Sequence, residues 1–367
     1  MTWLALLALL AWLYLGVAHG RFWQGGPTLA PAAPASAPAV AVVVPARDEA
    51  ATITASIVSL LAQSYAGPYR VILVDDGSED GTGAIARECD DGRLTVIAGS
   101  ARPPGWAGKL WAVAQGVAAA EAAEWLLLTD ADIVHDPRHV ATLLAQAERS
   151  GAALVSEMVA LNCESAAERA LVPAFVYFFQ FLYPFARVND PRSRTAAAAG
   201  GTMLIRREAL ERAGGIAAIS GALIDDVALA AGIKPLAPIW LGHSRLARSI
   251  RRYPQARDIW RMIARSAYVQ LRHSLLLLLG TLLGLALLFV VPPAAAAAGH
   301  VSGLAAWAVM ATTFLPTLRR FGLSGLRAPL LPLAALFYMA ATLGSAIDHH
   351  RGRGVTWKRR AYTERQA

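Results

Sequence analysis

The sequence predicts an α/β domain on a mostly parallel sheet, with one apolar anchor before it and several apolar helices after it. Three observations predict this. The middle of the chain alternates short apolar runs (AVAVVVP, YRVILVDDGS, RLTVIAG, EWLLLTDAD) with helical periods (ATITASIVSLLAQSY, GTGAIARECD, KLWAVAQGVAAA). Continuous β-branched runs flanked by amphipathic helices are the pattern of strands covered on both faces. Four stretches, residues 2–20, 275–291, 294–316 and 328–347, are each close to the about 20 apolar residues that a bilayer-spanning helix needs. Finally, 367 residues with 56% hydrophobic and 16% charged side chains exclude a disordered, collagenous or disulfide-stapled chain. The two cysteines, Cys89 and Cys163, give no disulfide framework, which suits a reducing cytosol. A net charge of +8 calls for an anionic partner. Because the basic residues crowd beside apolar segments, that partner is expected to be a membrane surface, and no nucleic acid is expected.

Taken in order, residues 2–20 are followed by small residues that resemble a signal-peptidase site. No basic residue precedes them and Arg21 follows, so an uncleaved transmembrane anchor is expected, with the next domain in the cytoplasm. Residues 21–39, rich in Pro and Ala, read as a stiff spacer lifting that domain off the membrane. Residues 40–253 form the α/β domain. Residues 254–273 read as a basic juxtamembrane helix. From Arg245 to Arg272 there are eight arginines against one acid, Asp258, which suits anionic headgroups. Arg257, Arg261 and Arg265 share a helix face that could instead meet a diphosphate. Residues 274–347 are the C-terminal membrane helices and 348–367 a basic tail. Three crossings would put that tail outside, yet its charge belongs inside. Residues 328–347, with Pro329, Pro332 and Gly344, are therefore expected to enter the bilayer and return, leaving Trp357 and Tyr362 at headgroup level.

Ligands of such sheets sit at the carboxyl ends of the strands. Asp130 and Asp132 follow LLLT and, two apart in extended backbone, point the same way. A hard divalent cation bridging phosphate oxygens suits that pair; a solvated turn capping a helix fits it equally well in isolation. Pro45, Arg47 and Glu49 close the first strand, and Asp75 and Asp76 close the second beside a glycine turn, where turn chemistry is the competing reading. Asp225 and Asp226 fit a helix N-terminus, favoured there by the dipole. Gly200 and Gly201 permit close backbone approach to a ligand, or form a bulge. His243 has no second metal-type residue nearby and reads as an ordinary strand-end histidine. Residues 170–186 contain seven aromatic side chains and two prolines, and read either as an interfacial acceptor entrance or as a core helix of the α/β domain.

The ordered pieces PARDEA, VDDGS, TDAD, AGGTMLIRREAL and ALIDDVALA resemble the inverting family 2 glycosyltransferases. The resemblance implies the GT-A fold, the Rossmann-like sheet of nucleotide-diphospho-sugar transferases. The anchor, the C-terminal apolar segments and the GVTWKRRAY tail look closest to the hopanoid-biosynthesis-associated branch. By resemblance, Pro45, Arg47, Glu49, Asp75 and Asp76 hold the nucleoside, and Lys109 lies on a loop closing over it. Asp130 and Asp132 hold the diphosphate and a Mg²⁺ or Mn²⁺ ion, Asp132 being the more direct ligand. Asp226 is the catalytic base in a pair with Asp225, and Gly200, Gly201, Arg261 and Arg265 meet sugar or acceptor. If Arg265 matches the arginine of the Q-x-x-R-W motif of processive relatives, Met262 and Ser266 break that motif, which argues for transfer of a single sugar. The implied activity is inverting transfer from a nucleotide sugar to a lipid, a hopanoid or related isoprenoid, by a multi-pass protein of the inner (cytoplasmic) membrane. A polyprenyl-phosphate acceptor is the alternative, as is an idle scaffold holding lipid-biosynthesis enzymes together.

Overall fold

Strand β1 (Val40–Ala46) is buried along its whole length, as is β4 (Trp125–Thr129), because each consists almost entirely of apolar side chains facing both ways. They lie in a computed structural model that describes residues 1–121, 123–351, 355–357 and 360–362, the last two segments by their backbone alone. The chain divides into an α/β unit (Pro27–Asn162 and Arg187–Arg251) and a helical unit (Met1–Gly26, Cys163–Ala186 and Arg252–Thr356).

The other strands of the α/β unit are β2 (Tyr69–Asp75), β3 (Leu94–Ala98), β5 (Ile133–His135), β6 (Leu154–Ala160), β7 (Thr202–Arg206) and β8 (Ile239–Ser249). Their order is β3-β2-β1-β4-β7-β6-β8-β5. From β3 to β4 the sheet is parallel. β6 and β8 are parallel too, whereas β7 runs antiparallel to both β4 and β6, and β5 antiparallel to β8, so the sheet is mixed but mostly parallel, as expected. The chain leaves β6 for the helical unit and returns to β7 with no crossover helix on the sheet, which allows antiparallel pairing. Because β2 and β3 lie on one side of β1 and β4 on the other, the strand order reverses between β1 and β4, where open α/β sheets form their ligand crevice.

Helix Ile53–Leu61 buries Ile53, Ile57 and Leu60 on this sheet at helical spacing. Helix Gly108–Ala119 approaches so closely at Gly116 that a Cβ there would stand 2.4 Å from Cγ1 of Val43. That approach fixes Lys109, one residue into the helix, over the crevice.

Residues 27–39 are not a free spacer. The N–H of Leu29 donates to the carbonyl of His243 (2.7 Å), the N–H of His243 to Pro27 (2.9 Å), and the N–H groups of Ala35 and Ser36 to the Glu148 carboxylate (2.7 and 3.0 Å). Leu29 is buried in the core. The segment is thus a strap on the α/β unit, because partners from β8 and helix His139–Ser150 satisfy donors that a spacer would leave to water.

Among the described residues of the helical unit three helices, Leu275–Ala297, Val301–Arg320 and Gly325–His350, are long and apolar enough to cross a membrane; Thr2–Val17 is a shorter apolar helix. The first runs through Pro292 and Pro293 because the turn Ala286–Val290 before them is π-helical, which absorbs the missing donors. The last is unbroken, against the expectation that residues 328–347 enter and return. Pro329 lies in the 3-10 segment Gly325–Leu330 that leads into the α-helix, and Pro332 is at the first turn of that α-helix, where its lack of an N–H costs nothing. Gly344 makes room for Trp260, whose ring would lie 2.7 Å from a Cβ there. Of the tail's basic side chains only Arg351 is described; the others, with Trp357 and Tyr362, lie outside the described side chains.

Helix Ala166–Leu182 belongs to the helical unit, not to the core of the α/β domain that the sequence had left open for it. The Tyr177 hydroxyl bonds Oγ1 of Thr313 at 2.7 Å, and the Tyr338 hydroxyl donates to the carbonyl of Leu171 at 3.0 Å. Consequently the α/β domain is interrupted, and does not run continuously over residues 40–253.

Candidate active site

The register Ala46↔Asp75 brings the ends of β1 and β2 side by side. Arg47, 6% exposed, donates to the backbone carbonyl of Asp76, and its Nη1 lies 3.8 Å from the Asp76 carboxylate. The Asp76 N–H donates to Ala46 at 2.8 Å. Asp75 accepts the N–H of Ser78 at 2.9 Å, which closes the turn into helix Thr82–Arg87. Gly83 sits where a Cβ would come within 2.3 Å of the Asp75 carboxylate. Arg47, Asp75 and Asp76 are therefore held by local bonds, and they build a rigid rim around Pro45.

Across the crevice, Nζ of Lys109 bridges Oδ1 of Asp130 (2.9 Å) and Oδ2 of Asp225 (3.0 Å). Pairing with both carboxylates outweighs burial and holds its ammonium pKa well above the ordinary lysine value. Enclosure pushes Asp130 above the usual carboxylate range despite Lys109, and repulsion from Asp132 and Asp225 adds to the shift. Pro45, Lys109, Thr129, Asp130, Gly200 and Asp225 line one depression.

Asp226 has a different environment. Its Oδ2 accepts the N–H of Gly200 at 2.8 Å and its Oδ1 the N–H of Val227 at 2.8 Å. Burial, with Asp225 beside it, raises its pKa to about 7. The two acids thus separate in role: Asp225 is an ion-pair partner, whereas Asp226 titrates near neutrality.

Asp132, 7% exposed, accepts from Oγ of Ser249 (3.1 Å) and Nε of Arg251 (2.8 Å). Nη2 of the same guanidinium reaches Oε1 of Glu49 at 2.6 Å. The antiparallel register Ile133↔Ser249 and the N–H of Ile250 bonded to the Asp132 carbonyl (2.9 Å) place Arg251 there. Lys109 pairs with Asp130 and Asp225, Arg251 pairs with Asp132 and Glu49, and Asp226 lies beside Asp225, and a cluster so rich in carboxylates suits a divalent cation. Among the described residues no group of three or more His, Cys, Asp or Glu could hold a metal unaided. The residues fit an ion that takes its remaining oxygens from phosphate and water, as Mg²⁺ commonly does.

The structure brings together Pro45, Arg47, Glu49, Asp75, Asp76, Lys109, Asp130, Asp132, Gly200, Gly201, Asp225 and Asp226 at one end of the sheet. Gly200 approaches Asp226, and the Gly201 carbonyl accepts from Oγ1 of Thr129 at 2.8 Å. Arg261 and Arg265 belong to the helical unit. Arg257, Arg261 and Arg265 are exposed, opposite the buried Ile259 and Ile263. Two features escaped sequence reasoning. Arg251 sits in an arginine-rich stretch whose composition pointed to headgroups. A buried chain runs Thr129–His135–His139–Glu157 at 3.2, 2.9 and 2.7 Å, with burial and His139 holding His135 well below the usual histidine value. Its only sequence signal is two histidines four apart.

Residues 41–214 match the family described as Glycosyl transferase family 2. Over those residues the chain carries a domain like the family 2 glycosyltransferases, and its sheet has the GT-A type fold. Among solved structures, the glycosyltransferase is similar to the mannosyltransferase PcManGT from Pyrobaculum calidifontis in complex with GDP-Man and Mn²⁺, at 19% identity over 94% of this chain and 98% of that one, with a TM-score of 0.58. Weaker likenesses, each with a TM-score of 0.41, are to two others. One is glucosyl-3-phosphoglycerate synthase from Mycobacterium tuberculosis in complex with Mg²⁺ and uridine-diphosphate, at 19% identity over 61% of this chain and 75% of that one. The other is S. aureus TarS 1-349 in complex with UDP-GlcNAc, at 13% identity over 87% and 93%. No curated protein sequence matches the glycosyltransferase significantly.

Proposed function

We propose that this glycosyltransferase moves one sugar from a nucleoside-diphosphate donor to a lipid hydroxyl with inversion, and that Asp226 is the base. The observation that supports this best is the division of labour among the acids. Asp130 and Asp225 share the ammonium of Lys109, while Asp226 is left with a pKa of about 7, where a proton acceptor works best at neutral pH. The acceptor oxygen bonds to the anomeric carbon as the bond to the diphosphate oxygen breaks, and the hydroxyl proton passes to Asp226. Asp130 and Asp132 are the residues that would hold Mg²⁺ or Mn²⁺, which supplies positive charge to the leaving diphosphate. Lys109 adds a fixed cation beside it. Pro45, Arg47, Glu49, Asp75 and Asp76 form the rim against which the nucleoside packs.

The lipid acceptor rests on three helices long and apolar enough to cross a membrane within the same chain. A multi-pass protein of the cytoplasmic membrane, with its α/β unit in the cytoplasm, is the matching placement, and a polycyclic isoprenoid of the hopanoid class is the acceptor favoured by the motif resemblance. The exposed Arg257, Arg261 and Arg265 favour a second reading, an acceptor that carries phosphate, such as a polyprenyl phosphate. Mass spectrometry of total lipids from cells with and without the gene product tests both. Loss of a neutral glycolipid supports the first reading and loss of a phosphate-linked one the second. Unchanged lipids contradict both.

A further inference from the structure

Arg251 makes two charged bonds at once, Nε to Asp132 at 2.8 Å and Nη2 to Glu49 at 2.6 Å, and thereby joins the end of β8 to the ends of β4 and β1. Asp132 and Glu49 have side chains only 10% and 11% exposed, so neither carboxylate is neutralised mainly by water. A buried carboxylate that loses its partner is costly, and it therefore binds whatever cation is available. Asp132 is also the residue proposed above to meet a divalent cation. The guanidinium and that cation both draw on the Asp132 carboxylate, so the two compete for it.

We propose that Arg251 is an internal counter-cation that occupies the carboxylates of Asp132 and Glu49 until a metal–diphosphate complex displaces it. The metal alone must break two charge-assisted bonds and offers the guanidinium nothing in return. A metal that arrives with a diphosphate provides the displaced guanidinium with phosphate oxygens, which it binds in the same forked geometry. Metal and nucleotide then bind cooperatively, because each offsets the cost of releasing Arg251 for the other. The device keeps the site from filling with a bare cation and links metal uptake to donor arrival. It rests on the reading of Asp132 as a metal ligand.

The test measures Mn²⁺ binding to the full-length protein by electron paramagnetic resonance, with Mn²⁺ alone and with saturating GDP or UDP, for the wild type, Arg251→Met and Arg251→Lys. The wild type is expected to bind Mn²⁺ at least about tenfold more tightly with a nucleoside diphosphate than without. Arg251→Met should bind Mn²⁺ alone about tenfold more tightly than the wild type and lose most of the nucleotide enhancement. Arg251→Lys keeps the charge but cannot span both carboxylates, so it should fall between the two; it also guards against a Met variant that fails to fold. Metal-alone affinity unchanged or weakened in both variants, beside a wild type that shows the nucleotide enhancement, overturns the role of Arg251 alone. A wild type that binds neither nucleotide in the presence of Mn²⁺ overturns the metal–diphosphate reading with it.

Discussion

The backbone N–H of Gly200 donates to Oδ2 of Asp226 at 2.8 Å, from a position where a Cβ would come within 3.2 Å of that same oxygen. A side chain at residue 200 must therefore push the carboxylate that is proposed to accept the proton. Gly200→Ala should lower turnover by about tenfold or more, since small displacements of a reacting group are expensive, while leaving nucleotide affinity nearly unchanged. Separate measurement of kcat and donor Kd checks this.

Asp226 also predicts a pH dependence. Its folded pKa of about 7 lies above the ordinary value of 3.8, so the folded state binds more protons than the unfolded state between those values. Stability contributed by the protonated form is present below the ordinary value and is lost as pH rises through about 7. Asp226→Asn removes this loss, so its melting temperature should exceed that of the wild type above neutral pH, with the gap closing toward about pH 4. Turnover runs the opposite way: it should rise with pH along a limb centred near 7, because the base must be unprotonated. Paired thermal melts and pH–rate profiles check both signs.

Lys109 joins Asp130 to Asp225. Lys109→Met would leave three acids, Asp130, Asp225 and Asp226, without their shared cation. Their mutual repulsion should push the apparent pKa of the acid limb above its wild-type position and weaken nucleotide binding by about tenfold or more. A pH–rate profile displaced to higher pH, together with calorimetric nucleotide titrations, checks this.

The parts of this account that were legible in the sequence follow from strand chemistry. Val40–Val44, Val71–Val74 and Leu126–Leu128 could only be buried strands, and so the charged residues immediately after them had to meet at one end of a sheet. Asp226 was singled out from Asp225 by resemblance alone, because the physical difference depends on which acid Lys109 reaches and which one the Gly200 N–H reaches. Arg251 was hidden for a similar reason: its partners are set by the β5–β8 register, and nothing local distinguishes it from Arg252. The strap at residues 27–39 was read as a spacer and the helix within 163–186 was left open between two readings, because composition reports polarity and stiffness but not which carbonyl or carboxylate lies within reach.

The central claim is that Asp132 serves donor binding and Asp226 serves proton removal. Its most direct test measures, in one set of preparations, Mn²⁺-dependent nucleoside-diphosphate binding and sugar transfer for the wild type, Asp132→Ala and Asp226→Asn. Asp132→Ala should lose both binding and transfer. Asp226→Asn should bind the nucleotide within about threefold of the wild type while transfer falls by about a thousandfold, within the range typical of a lost general base. Transfer by Asp226→Asn within a few-fold of wild type, or a loss of nucleotide binding equal to that of Asp132→Ala, would contradict the assignment.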